Sequence, residues 1–338
     1  MDKHFIEVKN KMKKLYGGLD IHKEKNVGCI LNESGDVIRE QCFPVSKKAV
    51  EKFVDGISNA EISFAIEACG MWRSAYHMLT DLGFTVKLAN PKKTHDIACS
   101  KKTDKVDAHI LADLLRTNYL PEVWIPDEQT LKFRDITRHK TTLTHLRVQI
   151  QAKIKSTLLR NGIPYKKNMW NENTLSKFAE IDPNLKGLVT IYWSLKAEEK
   201  DAKKRIENIA RVKKETTLLM SIHGVGALSA LIIFAEIGDI YRFKSPKSLV
   251  SYAGLCPGVY QSGGTERTVK NNAVDKWLKW IIYECSGRAT MLDPKFQKYF
   301  YKINQRKGFK IARRACARKM LTIIWYMLTN EEPYKQAS

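Results

Sequence analysis

The sequence predicts an α/β segment followed by an all-α remainder. Three observations lead there. The chain has 338 residues, 43% of them hydrophobic, enough for two or three domains with cores of their own. Residues 16–113 alternate short apolar runs, turn signals and helical periodicity, whereas the longest later segments repeat apolar residues every three or four positions. Charge divides the same way. The formal net charge is +22, yet residues 17–113 hold 13 basic and 14 acidic side chains. Residues 132–219 hold 20 against 9, and residues 266–319 hold 15 against 4. A near-neutral part flanked by basic segments fits a metal-binding domain beside surfaces for a polyanion, most simply nucleic acid.

The elements follow in order. Tyr16–His22 and Asn26–Leu31 read as strands, and Glu33-Ser34-Gly35-Asp36 turns into a third, Val37–Val45. Ser46 caps a helix to Gly56; Ile62–Ala68 is a fourth strand. Trp72–Leu82 is helical, Phe84–Ala89 is a fifth strand ended by Asn90-Pro91, and Thr103 caps a helix to Asn118. The order β-β-β-α-β-α-β-α is that of ribonuclease-H-like folds. After Pro121 and Pro126, residues 127–160 and 185–218 read as two long amphipathic helices, a coiled-coil-like hairpin or an ordinary helical subdomain. The apolar helix Ala227–Ile237, a flexible loop around Gly254–Gly264, and helices over 272–288 and 310–330 complete the chain. The expected domains are therefore 15–120, 127–218 and 219–330.

Seven scattered cysteines offer neither zinc spacing nor a disulfide framework. The first residues do not read as a signal peptide, and no apolar run is long enough to span a bilayer. A reduced, cytoplasmic protein with no membrane partner is expected.

Four carboxylates carry the chemistry. Asp20 interrupts an apolar strand, where an acid is costly unless paired or bound to metal. Glu67 ends the fourth strand, which neighbours the first in such a fold. Asp104 and Asp107 share one helix face a turn apart. Hard oxygen ligands converging in this way suit Mg²⁺; two ions about 3.5–4 Å apart would polarise a phosphodiester and activate the attacking oxygen. Taken singly, Asp104 is also a good first-turn residue and Glu67 a good strand-end residue. His22 and His109 read as structural or outer-sphere groups. Trp277, Trp280 and Trp325 fit helix-core spacing, and Lys105 either meets phosphate or is solvated.

Two glycine-rich stretches point to phosphate. Ile222-His223-Gly224-Val225-Gly226 resembles a helix-hairpin-helix turn, whose backbone N–H groups grip phosphate without reading sequence; a plain interhelical turn is the alternative. In Tyr260-Gln261-Ser262-Gly263-Gly264, backbone can approach a phosphate closely, with Arg267 and Lys270 beyond to hold its oxygens. Ser262 is a potential covalent nucleophile, and Tyr260 competes with it on chemistry alone.

Together these residues resemble the DEDD transposases of the insertion-sequence one-ten family, which includes the pilin-gene invertases. The segments that carry the resemblance are Gly18-Leu19-Asp20-Ile21-His22-Lys23, Ile66-Glu67-Ala68-Cys69-Gly70, Lys102-Thr103-Asp104-Lys105-Val106-Asp107-Ala108, Ile222-His223-Gly224-Val225-Gly226, Ala235-Glu236-Ile237-Gly238-Asp239, Tyr252-Ala253-Gly254-Leu255-Cys256-Pro257 and Gln261-Ser262-Gly263. The resemblance implies a RuvC-like domain holding Mg²⁺ through Asp20, Glu67, Asp104 and Asp107, a helical linker, and a C-terminal transposase domain whose Ser262 attacks DNA. It further implies a phosphoserine link, a Holliday-junction-like intermediate, a bridge RNA in many members, and a homo-oligomer that joins the carboxylates of one subunit to the serine of another. Many relatives carry Gly-Asn and then Leu-Arg after the serine loop; here stand Asn271-Asn272 and Asp275-Lys276. A junction-resolving nuclease that uses water, an invertase without RNA, and a non-catalytic nucleic-acid-binding protein are the rival readings.

Overall fold

Apolar residues that alternate with small or polar ones around Asp20 form β1 (Lys13–Ile21), the centre of a five-stranded sheet. The computed structural model describes residues 13–57, 60–98, 103–256, 258–262, 265–269 and 274–335. The chain divides into two units, Met1–Ile125 and Pro126–Ser338.

In the first unit, β2 (Lys25–Leu31) pairs antiparallel with β1, and β3 (Val37–Pro44) antiparallel with β2. After α1 (Lys47–Val54), β4 (Ala60–Glu67) runs parallel to β1, in register Leu19 to Ile66. Then follow α2 (Trp72–Thr80), β5 (Thr85–Ala89), α3 (Pro91–Ala98) and α4 (Asp104–Arg116). The sheet order is β3-β2-β1-β4-β5. Strand alternation makes two buried faces. Leu19, Phe64 and Ile66 pack with Phe53 of α1 and Leu79 of α2. On the opposite face Ala65, Val27 and Cys29 pack with Ala108, Leu111 and Ala112 of α4.

Strand β5 ends before Asn90-Pro91 as expected, and an additional helix, α3, starts there. The Asn90 side chain accepts from Lys93 N at 3.1 Å and its carbonyl from Thr94 N at 2.9 Å, so Asn90 caps a helix whose first residue is Pro91.

Gly17 makes room for a ring of the neighbouring strand, and Gly18 sets how closely α4 approaches the sheet. A Cβ at Gly17 would lie 2.3 Å from the Phe64 ring, and one at Gly18 would lie 2.0 Å from Ala108 O and 2.6 Å from Ala112 N. Only glycine lets the α4 backbone rest on β1 here. Gly18→Ala should therefore exceed an ordinary overpacking cost, destabilising by about 3 kcal/mol or more. An unchanged urea midpoint would contradict this packing.

The second unit opens with α5 (Glu128–Arg160), capped by Asp127, followed by α6 (Glu172–Ile181) and α7 (Pro183–Val212). Arg147 and Thr144 of α5 bond Glu199 of α7 at 2.6 and 2.8 Å, while Ile154 and Leu158 share a core with Leu185 and Val189. These pairings run in opposite order, so α5 and α7 form an antiparallel hairpin. The expected helix over 185–218 is broken, because Lys213 is extended (φ −80°, ψ 123°) and α8 (Lys214–Met220) begins anew. Helix α9 (Ala227–Ile237) is buried from Ala230 to Ile237 and centres the largest core, with α10 (Pro246–Tyr252), α11 (Lys276–Leu292) and α13 (Phe309–Asn330) around it. Helix α12 (Pro294–Lys307) was not expected; only Phe296 of it is buried, so it leaves little apolar periodicity. The supposed flexible loop is in part a hairpin, with β6 (Gly258–Ser262) antiparallel to β7 (Thr265–Val269). Among the described residues no helix is long and apolar enough to cross a membrane.

Candidate carboxylate centre and serine hairpin

Asp20 lies on the α4 face of β1, opposite its buried neighbours Leu19 and Ile21. Thr103 caps α4 by accepting from Val106 N at 3.3 Å, which puts Asp104 and Asp107 in its first turn. The rest of α4 is held on β1 and β2 by the Gly18 approach, so its acidic start lies over Asp20. His22 Nε2 is 3.0 Å from Asp20 Oδ2 and 3.4 Å from Asp104 Oδ2. Lys25 Nζ is 3.1 Å from Asp104 Oδ2. Asp20, His22 and Asp104 offer donor atoms all within 4.8 Å of one another.

Glu67 and Asp107 stand outside that span. Glu67 ends β4 one residue beyond the Leu19–Ile66 pair, and alternation puts it on the Asp20 face. Asp107 is close enough for its charge to act on Asp20. Burial holds the Asp20 carboxyl above its ordinary range, Asp104 and Asp107 push it the same way, and His22 opposes them. The Lys25 hydrogen bond holds Asp104 below the usual carboxylate range. Like charges crowded on a half-buried acid are what a hard cation relieves, and the aspartate oxygens fit one. The His22 nitrogen suits Mg²⁺ poorly and suits an outer hydrogen-bonding role better. His22, expected near this site as a structural or outer-sphere group, stands beside Asp20 because residues two apart on an extended chain share a face. Lys105 is not a free phosphate ligand: its Nζ pairs with Glu40 Oε1 at 2.7 Å.

In the second unit, Ser262 is the last residue of β6, paired with Thr265, and Arg267 pairs with Tyr260. Gly263, Gly264, Lys270, Asn271 and Asn272 lie outside the described residues. The roots of the hairpin are tied. Asp275 N donates to Tyr252 O at 3.0 Å, and Tyr252 Oη donates to Asp275 Oδ2 at 3.0 Å. Gly254 (φ +65°) abuts Val274, whose Cγ1 would stand 2.4 Å from a Cβ there. Beneath them, fully buried Glu236 accepts from Arg138 Nε and Nη2 at 3.0 and 2.8 Å, with Arg134 Nε 3.3 Å away.

The two glycines between α8 and α9 differ. Gly224 (φ +89°) is spent on packing, since a Cβ there would meet Ala289 N and Arg288 Cβ of α11 at 2.9 Å. Gly226 precedes α9 with no side-chain cap and open space about it. Trp277 and Trp280 meet edge to face, 6.1 Å between centres, and Trp325 Nε1 donates to Phe243 O at 3.0 Å.

Residues 17–162 match the DEDD family associated with IS110, described as a transposase. Residues 216–301 match the family described as Transposase IS116/IS110/IS902. The transposase for insertion sequence element IS1111A of Coxiella burnetii is 24% identical over 336 residues, 94% of this chain and 90% of that protein. The pilin gene-inverting protein of Moraxella bovis is 25% identical over 351 residues, 96% and 98% of the two chains. The transposase for element IS1328 of Yersinia enterocolitica is 22% identical over 277 residues, 78% and 83%. The first match takes in the four carboxylates and helix α5, the second takes in Ser262, and the chain thus belongs to the IS110 family of DEDD transposases, enzymes that transpose or recombine DNA.

Proposed function

We propose that this transposase cuts and rejoins DNA strands with a metal centre of Asp20, Glu67, Asp104 and Asp107 and a covalent nucleophile, Ser262. The observation that carries the reading is the crowding of Asp104 and Asp107 charge on half-buried Asp20. The sheet order and its change from antiparallel to parallel pairing at β1 support a ribonuclease-H-like, RuvC-like domain. Mg²⁺ held there would supply Lewis-acid polarisation of a phosphodiester oxygen. Asp20 and Asp104 contribute oxygen ligands, Glu67 and Asp107 complete the set, and His22 orients Asp20 through its 3.0 Å contact.

The Ser262 hydroxyl loses its proton, its oxygen bonds to phosphorus, and the strand's bridging oxygen leaves and takes up a proton. Attack by a strand hydroxyl reverses this, rejoining DNA and restoring serine, so no outside energy source is consumed. Gly226, Gly263, Arg267 and Lys270, with Gly224 shaping the turn, contact phosphate. The α5–α7 hairpin is the linker between catalytic and transposase domains. The working form is a homo-oligomer on donor and target DNA, guided by a bridge RNA.

Ser262→Ala should abolish strand exchange and the protein–DNA adduct on a suicide substrate while DNA binding persists. Cleavage that survives without an adduct would identify a hydrolase of the same fold instead.

A further inference from the structure

Helices α11, α12 and α13 enclose a cavity of about 440 Å³ that neither the carboxylates nor the serine hairpin uses. Its walls include Tyr283, Phe300, Phe309 and Arg313, with Gly287 and Arg288 alongside. The Arg313 guanidinium lies 5.6 Å from the Tyr283 ring centre and 5.9 Å from that of Phe309, and Phe300 meets Phe309 edge to face at 5.8 Å. Phe309 is 60% exposed, so the aromatic wall opens to solvent. Residues 294–319, the helices on two sides of the cavity, hold ten Lys or Arg and no Asp or Glu.

Gly287 is the second, separate clue. It sits inside α11, where glycine costs about 1 kcal/mol relative to alanine. Packing does not demand it, because a Cβ there would meet nothing within 4 Å. The missing side chain keeps the cavity open. Glu284 is the one acid among the described lining residues, and a flat aromatic ligand carrying negative charge fits the rings, the guanidinium plane and the basic α12 and α13 together. We propose that this cavity captures one unpaired nucleobase of a single strand, stacked against the ring–guanidinium wall while the neighbouring basic side chains hold its phosphates. Unpaired DNA and unpaired RNA share that chemistry.

Fluorescence anisotropy with the full chain tests this. The probes are a twelve-nucleotide oligothymidylate, an abasic strand of equal length and charge, and the matching oligouridylate. The wild-type chain should bind oligothymidylate or oligouridylate about tenfold more tightly than the abasic strand, and the tighter of the two names the source. Gly287→Leu, which fills the cavity with a better helix former, should lose that preference with no fall in thermal midpoint. Ser262→Ala should keep it, so failure of the base site and failure of the serine nucleophile are told apart. Equal binding of base-bearing and abasic strands by the wild-type chain, or an intact preference in Gly287→Leu, would overturn the proposal.

Discussion

Asp20→Asn should cut divalent-ion-dependent strand cleavage by at least ~10²-fold, since loss of an outer-sphere partner alone costs about 10–100-fold. The same variant should be more stable than the parent when no ion is present. Burial, Asp104 and Asp107 raise the folded-state pKa of Asp20 above its ordinary value. Between those two values the folded chain binds more protons than the unfolded one, so stability falls as pH rises through that window, and the deficit persists above it. An uncharged side chain removes the deficit. Added MgCl₂ should raise the melting temperature of the wild-type chain and leave that of Asp20→Asn nearly still. Full ion-dependent cleavage by the variant would end the metal-centre reading.

Glu236→Leu carries an expected cost in stability comparable with that of Gly18→Ala. Glu236 has no solvent exposure and faces Arg134 and Arg138. Burial pushes its carboxyl pKa up, Asp275 adds to that, and the two arginines oppose it. Removing the carboxylate takes the charge partner from both arginines, although Arg134 keeps its bonds to Ala235 O and Glu236 O, a loss of about 3–5 kcal/mol for a buried pair. The lower end applies, because the Arg138 side chain keeps 35% exposure and can turn to water. Urea denaturation reads the loss. Arg138→Met combined with Glu236→Leu should recover part of it, since the pair is then replaced by apolar bulk. Strict additivity of the two changes would mean that the ion pair is not energetically coupled.

Much of the first unit was legible because its signals are local. Leu19 and Ile21 on either side of Asp20 mark a half-buried strand, and Thr103 before Asp104 marks a helix start. What escaped notice has physical reasons. Lys25 reaches Asp104 only after β1 and β2 fold back on each other, and a lone basic residue has no periodicity. The roles of Gly17 and Gly18 depend on Phe64 and Ala108, which are distant in the chain. The β6–β7 hairpin had a readable signature, two glycines between Val259-Tyr260-Gln261-Ser262 and Thr265-Glu266-Arg267, but polarity made it look like a loop. Glu236 sits in an apolar helix, and its arginine partners lie about a hundred residues earlier.

Helix α4 joins two tasks. Its opening turn presents Asp104 and Asp107, and the next turns press Ala108 and Ala112 onto Gly18. A single inserted residue between Asp107 and Ala108 would swing one task about 100° away from the other. The acids therefore cannot be retuned by sliding or loosening their helix without tearing it from the sheet, and adaptation at this centre is confined to exchanging side chains on an unmoving backbone.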